Sequence, residues 1–378
     1  MMSEIYRLRI RLEPRSEISP REELPSRNFY PASPFISGKK VRGAFLTAIR
    51  RTMTPHTEAK RIPLSEHSKS KFQKEAVEGF LKASPALPRS ESDTPREVPH
   101  APFTFLSCKA CEGEKKHLQL YDATGDLLKR GDLSQSTFCD KHKKPYFRKG
   151  YSGPVCLSSR KPLQTPEINT RPAVAIDGVT GSATSGGLFF MQTTTHHTPL
   201  ITEIAVASGE LVDMIRDLKK SRALLQLGAG RARGWGIVEI DDIEFVQSHS
   251  EFVKEKEASL QKVIEIYGGF VLIATSGIAS VVLENDRFIS RPYVLEVEGF
   301  NLEKSYGRVN SYTGWSMLTN LQKPMITGAK EGSIFFYRVP DISEVDFSKL
   351  LALELQGIGD RILTSSQMNQ VVFWEGEH

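Results

Sequence analysis

Three groups of residues in this 378-residue chain have types and spacings that could do chemistry. Cys108 and Cys111 are spaced by two, as are Cys139 and His142, and 27 residues separate these metal-knuckle pairs. Each pair offers two ligands from one turn, and together they would close a tetrahedral shell around zinc. Four protein ligands leave no open position for water, so this zinc would be structural, with Cys156 as an alternative ligand. The second group is the run GAGRARGWG at 228–236. A dinucleotide loop of similar composition must follow a strand and open a helix. Here the pattern places a helix before the glycines and a strand after them, so the helix dipole would repel phosphate. Affinity for phosphate is then expected from Arg231 and Arg233. Gly228, Gly230, Gly234 and Gly236 would allow close backbone approach, and Trp235 would offer a stacking face. The plain alternative is a glycine-rich helix cap and tight turn. The third group is sparse: His196 and His197, beside three threonines, and Asp177 are the only candidates for acid–base or carboxylate chemistry on a phosphodiester. No P-loop, nucleophile elbow or triad accompanies them.

The surrounding pattern predicts the elements that position these groups. Tyr6, Leu8, Ile10 and Leu12 alternate with Arg7, Arg9 and Arg11, which predicts a first strand with three arginines on its outer face. That face is either simply solvated or open to a polyanion. Val41, Phe45 and Ile49 recur at helical spacing after Ser37, a capping residue. Lys39, Lys40 and Arg42 crowd the start of this helix, where cations oppose the dipole and a bound phosphate would relieve them. Residues 52–171 read as an insertion that is rich in Pro, Ser, Glu and Lys at first, with a short helical run over 72–81, and that holds the cysteines. An apolar segment at 173–177, a flexible loop at 178–187 and a second apolar run at 188–191 predict strand, loop, strand. A helix over 208–227 follows, with Leu211, Ile215, Leu218 and Leu225 on one face.

The last third repeats this order. Residues 271–283, 293–297 and 334–337 (IFFY) predict strands, 333–336 (SIFF) parallels 187–190 (GLFF), and a helix over 345–355 ends at Gly357. An internal duplication explains the parallel. The predicted fold class is α+β: tandem ferredoxin-like, RRM-like βαββαβ units, with a zinc-binding insertion in the first. The first unit spans 1–250, interrupted by 52–171, and the second, degenerate unit spans 251–378.

Charge divides along the same line. Lys and Arg total 50 against 45 Asp and Glu, but residues 1–171 hold 32 basic and 19 acidic side chains while residues 172–378 hold 18 and 26. A basic first half predicts an acidic partner. Four cysteines are too few for a disulfide scaffold. With no apolar run long enough to span a membrane and no signal-peptide core at the start, a cytoplasmic protein with no membrane partner is expected.

Residues 36–44 (ISGKKVRGA), the 177–190 segment, the 228–236 glycine run, Gly314-Trp315, Lys323-Pro324 and 332–336 (GSIFF) together resemble the RAMP superfamily of CRISPR-associated proteins. Within it the chain is most similar to the two-unit RAMP subunit of type III-D effector complexes, which carries a comparable cysteine-bearing insertion. The resemblance implies an RNA-binding structural subunit of a type III CRISPR effector in antiviral defence. Its partners would be CRISPR RNA, held near the 5′ repeat-derived tag, other RAMP subunits and the large polymerase-like subunit. It also implies RNA contact at Lys39, Lys40, Arg42, Arg231, Arg233 and Trp235, and no catalytic role. The chain departs from the pattern at Ser37, where a proline is usual, and after Arg361, where the second glycine loop degenerates. The second unit is therefore expected to pack on protein more than RNA. Two rival readings are a RAMP endoribonuclease using His196, His197 or Asp177, and a zinc-stapled interaction module that touches no RNA.

Overall fold

The computed structural model describes residues 5–20, 29–53, 79–89, 96–108, 118, 120–131, 147–230, 233–284, 287–291, 297, 299–312, 315–316, 321–322, 325–359, 363–364 and 367–376. The alternating segment forms β1 (Tyr6–Pro14), and its apolar set, Leu8, Ile10 and Leu12, is fully buried. Each such side chain contributes roughly 1.5–3 kcal/mol of transfer free energy. After a two-residue strand, β2 (Phe29–Tyr30), comes α1 (Gly38–Met53), whose Val41, Phe45 and Ile49 meet β1 in the core. Next is β3 (Phe80–Ala83), so Phe80 and Leu81 are extended where a helical run was expected; residues 72–78 lie outside the described set.

A long antiparallel hairpin follows, β4 (Glu167–Ile176) and β5 (Ala183–Thr195). Its turn is shorter than the expected 178–187 loop because Ala183 already pairs with Ile176; residues 184–187 form an irregularity before pairing resumes at Leu188 opposite Val174. Then come β6 (Leu200–Val206) and α2 (Gly209–Lys220), which Ser208 caps by accepting from the Leu211 amide. This helix ends seven residues before the expected limit. Arg222 adopts φ +51°, the chain turns, and Leu225 is buried in a strand, β7 (Leu224–Gln226), not on a helix face. Strand β8 (Ile237–Ser248) completes a sheet ordered β7-β8-β1-β6-β3, with Leu87–Pro88 also paired to β6. Without β7, the order is that of a ferredoxin-like βαββαβ unit, all neighbours antiparallel.

A second sheet has the same order. Its strands are β9 (Gly269–Ala274), β10 (Asn301–Tyr306), β11 (Ile334–Arg338) and β12 (Val371–Phe373), arranged β10-β11-β9-β12. Preceding them is α3 (His249–Tyr267), a helix absent from the expected pattern, and between β11 and β12 lies α4 (Phe347–Gln356). Among the described residues between β9 and β10 there is no helix but a hairpin, Ser280–Glu284 with Arg287–Arg291. The place of the missing crossover helix is filled by α3, whose Phe252, Leu260 and Ile264 share a core with Leu350 and Leu351 of α4 and Phe270 and Leu272 of β9. Of the strand expected at 293–297, only Val297 is described, in a bridge to Phe300.

The outer face of β1 is not open. Arg7 is 3% exposed; it pairs with Glu203 at 3.2 Å and Glu354 at 3.6 Å, and its guanidinium lies 3.4 Å from the Phe252 ring centre. Arg9 pairs with Glu97, and Arg11 with Asp241 and Glu244. The buried Glu354 of α4 also pairs with Arg96, and its backbone carbonyl accepts from Lys82. Burial lowers the Lys82 ammonium to about 8, against the pull of Glu354. This ionic joint fastens the two sheets, so the arginine stripe, for which a solvated face and a polyanion surface were the two expectations, is instead satisfied within the molecule. The insertion takes part: helix Thr124–Arg130 and Leu157 pack Leu127, Leu128 and Leu157 on the second sheet's other face, against Val271, Ile273, Ile334, Phe336 and Trp374. Asp122 accepts from the Trp374 indole at 2.6 Å. No helix among the described residues is long and apolar enough to cross a membrane.

Candidate nucleic-acid interface

Strand order brings several of the singled-out segments to one end of the first sheet. β1 ends at Pro14 opposite Val238, the second residue of β8, and Leu12 lies opposite Leu200, where β6 starts. The base of the β4–β5 hairpin, the 228–236 loop and the path into α1 therefore converge there.

The glycine run is a hairpin connection between β7 and β8, with a strand on each side, so the expected helix C-terminus and its repulsive dipole are not present. Its backbone is committed to the protein. Gly236 donates to the Glu17 carbonyl at 2.7 Å, Ala229 to the Ser19 carbonyl at 2.9 Å, and Leu227 to the Gly236 carbonyl at 2.8 Å. A Cβ on Gly236 would lie 1.9 Å from the Leu227 oxygen, and one on Gly230 would lie 2.2 Å from the Trp235 ring. Gly228 packs against the Ser19 carbonyl in the same way. Close approach at these three glycines thus serves protein backbone and the Trp235 ring, which corrects the expectation of a ligand backbone there; only Gly234 has nothing within 4 Å.

Side chains supply what the loop backbone does not. Exposed Arg233 lies 5.5 Å from the Trp235 ring centre and 6.0 Å from that of Phe189 on β5, and it donates to the Met191 sulfur at 3.2 Å. Tyr30 of β2 meets Phe189 edge to face at 5.5 Å. Neighbouring arginines are neutralised: Arg15 pairs with Glu239, and Arg171 with Glu17, whose carboxyl it holds below the usual range. Among the described residues no carboxylate pairs with Arg233. Arg231 lies outside the described residues. At the start of α1, Lys39 is exposed and Lys40 half-buried, whereas Arg42 is largely buried and donates to the Phe80 carbonyl at 3.3 Å, which turns it inward and away from the role expected of it.

The hairpin has two unlike faces. Phe189, Met191 and Thr193 face the loop, while Ile168, Val174, Leu188 and Phe190 are exposed on the other. Ten residues of β4 span roughly 33 Å. Asp177 is therefore far from His196 and His197. Asp177 sits at the hairpin turn, where its carboxylate accepts from the Val179 and Thr180 amides and is held below its usual range by them. His196 and His197 sit at the base. Burial lowers His196 to about 4, and its ring meets Thr194 Oγ1, while His197 lies 3.4 Å from Glu167. Asp177 and the histidines do not form one constellation.

Of the zinc ligands, Cys108 is described and buried, directly after strand Phe105–Ser107; Cys111, Cys139 and His142 lie outside the described residues. That strand pairs antiparallel with Phe147–Gly150, Ser107 opposite Phe147. The chain thus leaves toward Cys111 and returns from His142 at one end of one sheet. Cys156 belongs elsewhere, in an apolar cluster with Phe35, Leu87 and Leu163.

Sequence reasoning missed Tyr30, Phe189 and Met191. The apolar run at 188–191 read only as a strand, with nothing to mark which face Phe189 takes, and Tyr30 stands in a Pro- and Ser-rich stretch with no periodic signal.

Fold and interface define an α+β protein of two ferredoxin-ordered sheets, with an aromatic and cationic patch at one end of the first. A family model of the RAMP superfamily matches residues 18–239, more than half of the chain, and the chain belongs to that superfamily. Similar solved structures include a chain from the type III-B Cmr-beta complex bound to cognate target RNA and AMPPnP, with 11% identity, TM-score 0.43, and 87% of this chain and 86% of that chain covered. Others are a CRISPR-associated protein Cas6, with 9% identity, TM-score 0.32, and coverage of 97% and 98%, and a RAMP protein binding different RNA substrates, with 10% identity, TM-score 0.32, and coverage of 97% and 99%. No curated protein sequence matches significantly.

Proposed function

We propose that this protein is a non-catalytic, RNA-binding structural subunit of a type III CRISPR effector complex. In this reading it holds CRISPR RNA near the 5′ repeat-derived tag and contacts other RAMP subunits and the large polymerase-like subunit. The observation that carries the reading is an exposed Arg233, unpaired by any described carboxylate and flanked by aromatic rings, where the glycine loop and hairpin base converge. RNA recognition of this kind combines phosphate contacts with stacking of unpaired bases.

Titrating the full chain with repeat-derived RNA at increasing salt tests the reading. The wild type is expected to lose affinity steeply with salt, and replacing Arg231 and Arg233 together by Ala is expected to weaken binding on the order of tenfold. The log–log salt slope should fall by ~1.4, as for two lost phosphate contacts on a single strand. Unchanged affinity and slope in the double variant would overturn the assignment, and metal-dependent or metal-independent cleavage of the RNA on a denaturing gel would favour the endoribonuclease instead.

A zinc ion held by Cys108, Cys111, Cys139 and His142 completes the proposal as a staple of the insertion. The ligand spacing and the shared end of the Cys108-bearing sheet support it. Elemental analysis should find about one zinc per chain, lost in Cys108→Ser with a lower melting temperature. A chain that folds metal-free, with the same melting temperature as the zinc-loaded protein, would remove zinc from the account.

A further inference from the structure

The patch at the hairpin base has more organisation than a positive surface needs. Phe189 is half-buried on the hairpin face that looks toward the loop; the Tyr30 ring lies 5.5 Å from its ring at 70°, and the Arg233 guanidinium lies 6.0 Å from its centre and 5.5 Å from that of Trp235. Trp235 is held in turn: the absence of a side chain at Gly230 leaves room for its ring against the loop backbone. Two half-buried rings, Phe189 of β5 and Trp235 of the loop, thus flank one exposed cation, and a third, Tyr30 of β2, adjoins Phe189. An ordinary core would bury such rings completely, and an ordinary surface arginine here would pair with a carboxylate, as Arg15 and Arg171 do.

We propose that Tyr30, Phe189 and Trp235, with Arg233, form a slot for one unpaired nucleotide of RNA, its base stacked on Phe189 and its phosphate held by Arg233. This deepens the RNA-binding reading above and rests on it. An anionic ligand is selected by the unpaired guanidinium, and a flat, π-faced one by the rings; a nucleotide combines both, whereas an acidic peptide satisfies only the cation. The slot is tolerant of base identity, because every base has a π-face and the Arg233 guanidinium is assigned to the phosphate. Gly234, with nothing within 4 Å of its Cβ position, leaves the solvent side of the loop open.

The test compares two fluorescent probes on the full chain, a short oligouridine RNA and the same ribose-phosphate chain without bases. Wild-type protein should prefer the base-bearing probe about tenfold, in line with a single stacked base. Phe189→Leu, which keeps apolar bulk in the strand but removes the ring, should abolish most of that preference, and Phe189→Tyr should retain it. Arg233→Ala should weaken both probes alike. If the wild type binds RNA but Phe189→Leu keeps the full base preference, the slot is wrong and the RNA-binding reading stands. Should an acidic peptide such as polyglutamate displace the RNA as well as the base-free chain does, with no preference for bases, the occupant is a protein and the slot is also wrong. Failure of the wild type to bind either probe sinks both proposals.

Discussion

Replacing Glu354 by alanine should lower the unfolding free energy by about 3–5 kcal/mol, the usual cost of stranding buried charges. Glu354 is 4% exposed and pairs with Arg7 and Arg96, so its removal leaves two buried arginines with one carboxylate each, Glu203 and Glu375, while Lys82 keeps the backbone carbonyl. The lost carboxylate also accepts from the Phe373 amide at 2.7 Å, which ties β12 to α4. Urea unfolding at neutral pH measures the effect; a change below about 1 kcal/mol would mean that water or neighbouring carboxylates replace Glu354, as at exposed pairs. The pH dependence has a definite sign. Arg96 and Arg7, against the cost of burial, hold the folded-state carboxyl of Glu354 below its ordinary value of 4.5. Its contribution is therefore complete above that value and is lost as pH falls through the lower folded-state pKa. The acid limb of the stability curve should be shallower in Glu354→Gln than in wild type.

The second large effect is expected at Gly236. Alanine there must adopt φ +79° and place its Cβ 1.9 Å from the Leu227 carbonyl oxygen. The positive φ alone costs roughly 1–2 kcal/mol, and the overlap cannot be relieved by a side-chain rotation because the obstacle is backbone. The loop must open, breaking the Leu227–Gly236 and Gly236–Glu17 backbone bonds. Arg233 and Trp235 would then leave their places, and RNA affinity should fall by at least the order of magnitude attributed to those side chains. Gly234→Ala separates the two causes: its φ is +75°, yet it meets no atom within 4 Å, so it should show the conformational cost with a smaller loss of affinity than Gly236→Ala. Equal losses of affinity in the two variants would mean that φ alone, not the overlap, governs the loop.

How far these features were legible in the sequence depends on the range of the forces involved. Alternation in β1 and the 3.6-residue spacing of Val41, Phe45 and Ile49 are local patterns, and both elements form where predicted. Leu225 was misread for an equally local reason. It sits seven residues after Leu218, two helical turns on, but it is also the buried middle residue of a three-residue strand, and Arg222 at φ +51° breaks the helix between them. The helix α3 did carry a signal: Ser248 and Glu251 form a complete capping box, and Gly268 ends it in the left-handed conformation. Its charged middle, KEKEASLQK, obscured the apolar face. The joint around Glu354 left no local trace, since Lys82 and Glu354 are 272 positions apart. For the same reason the charge division misled: part of the acidic partner predicted for the basic first half is the second half of the same chain. The aromatic slot was missed because a half-buried Phe189 and a core phenylalanine look alike in a single sequence.

The insertion's hold on the second sheet governs the order in which the protein can be made. Leu127, Leu128 and Asp122 belong to the first third of the chain, but the surface they cover is completed only by β12 and Trp374, and Asp122 and Trp374 are 252 positions apart. At translation rates of about 5–20 residues per second, those groups wait roughly 10–50 s on the ribosome for their counterpart. The first sheet with α1 and α2 closes its own core without the second sheet, so it can form early; the insertion cannot finish until β12 and Trp374 have emerged. Completion of the fold is thus a late, long-range event, of the kind that topology makes slow.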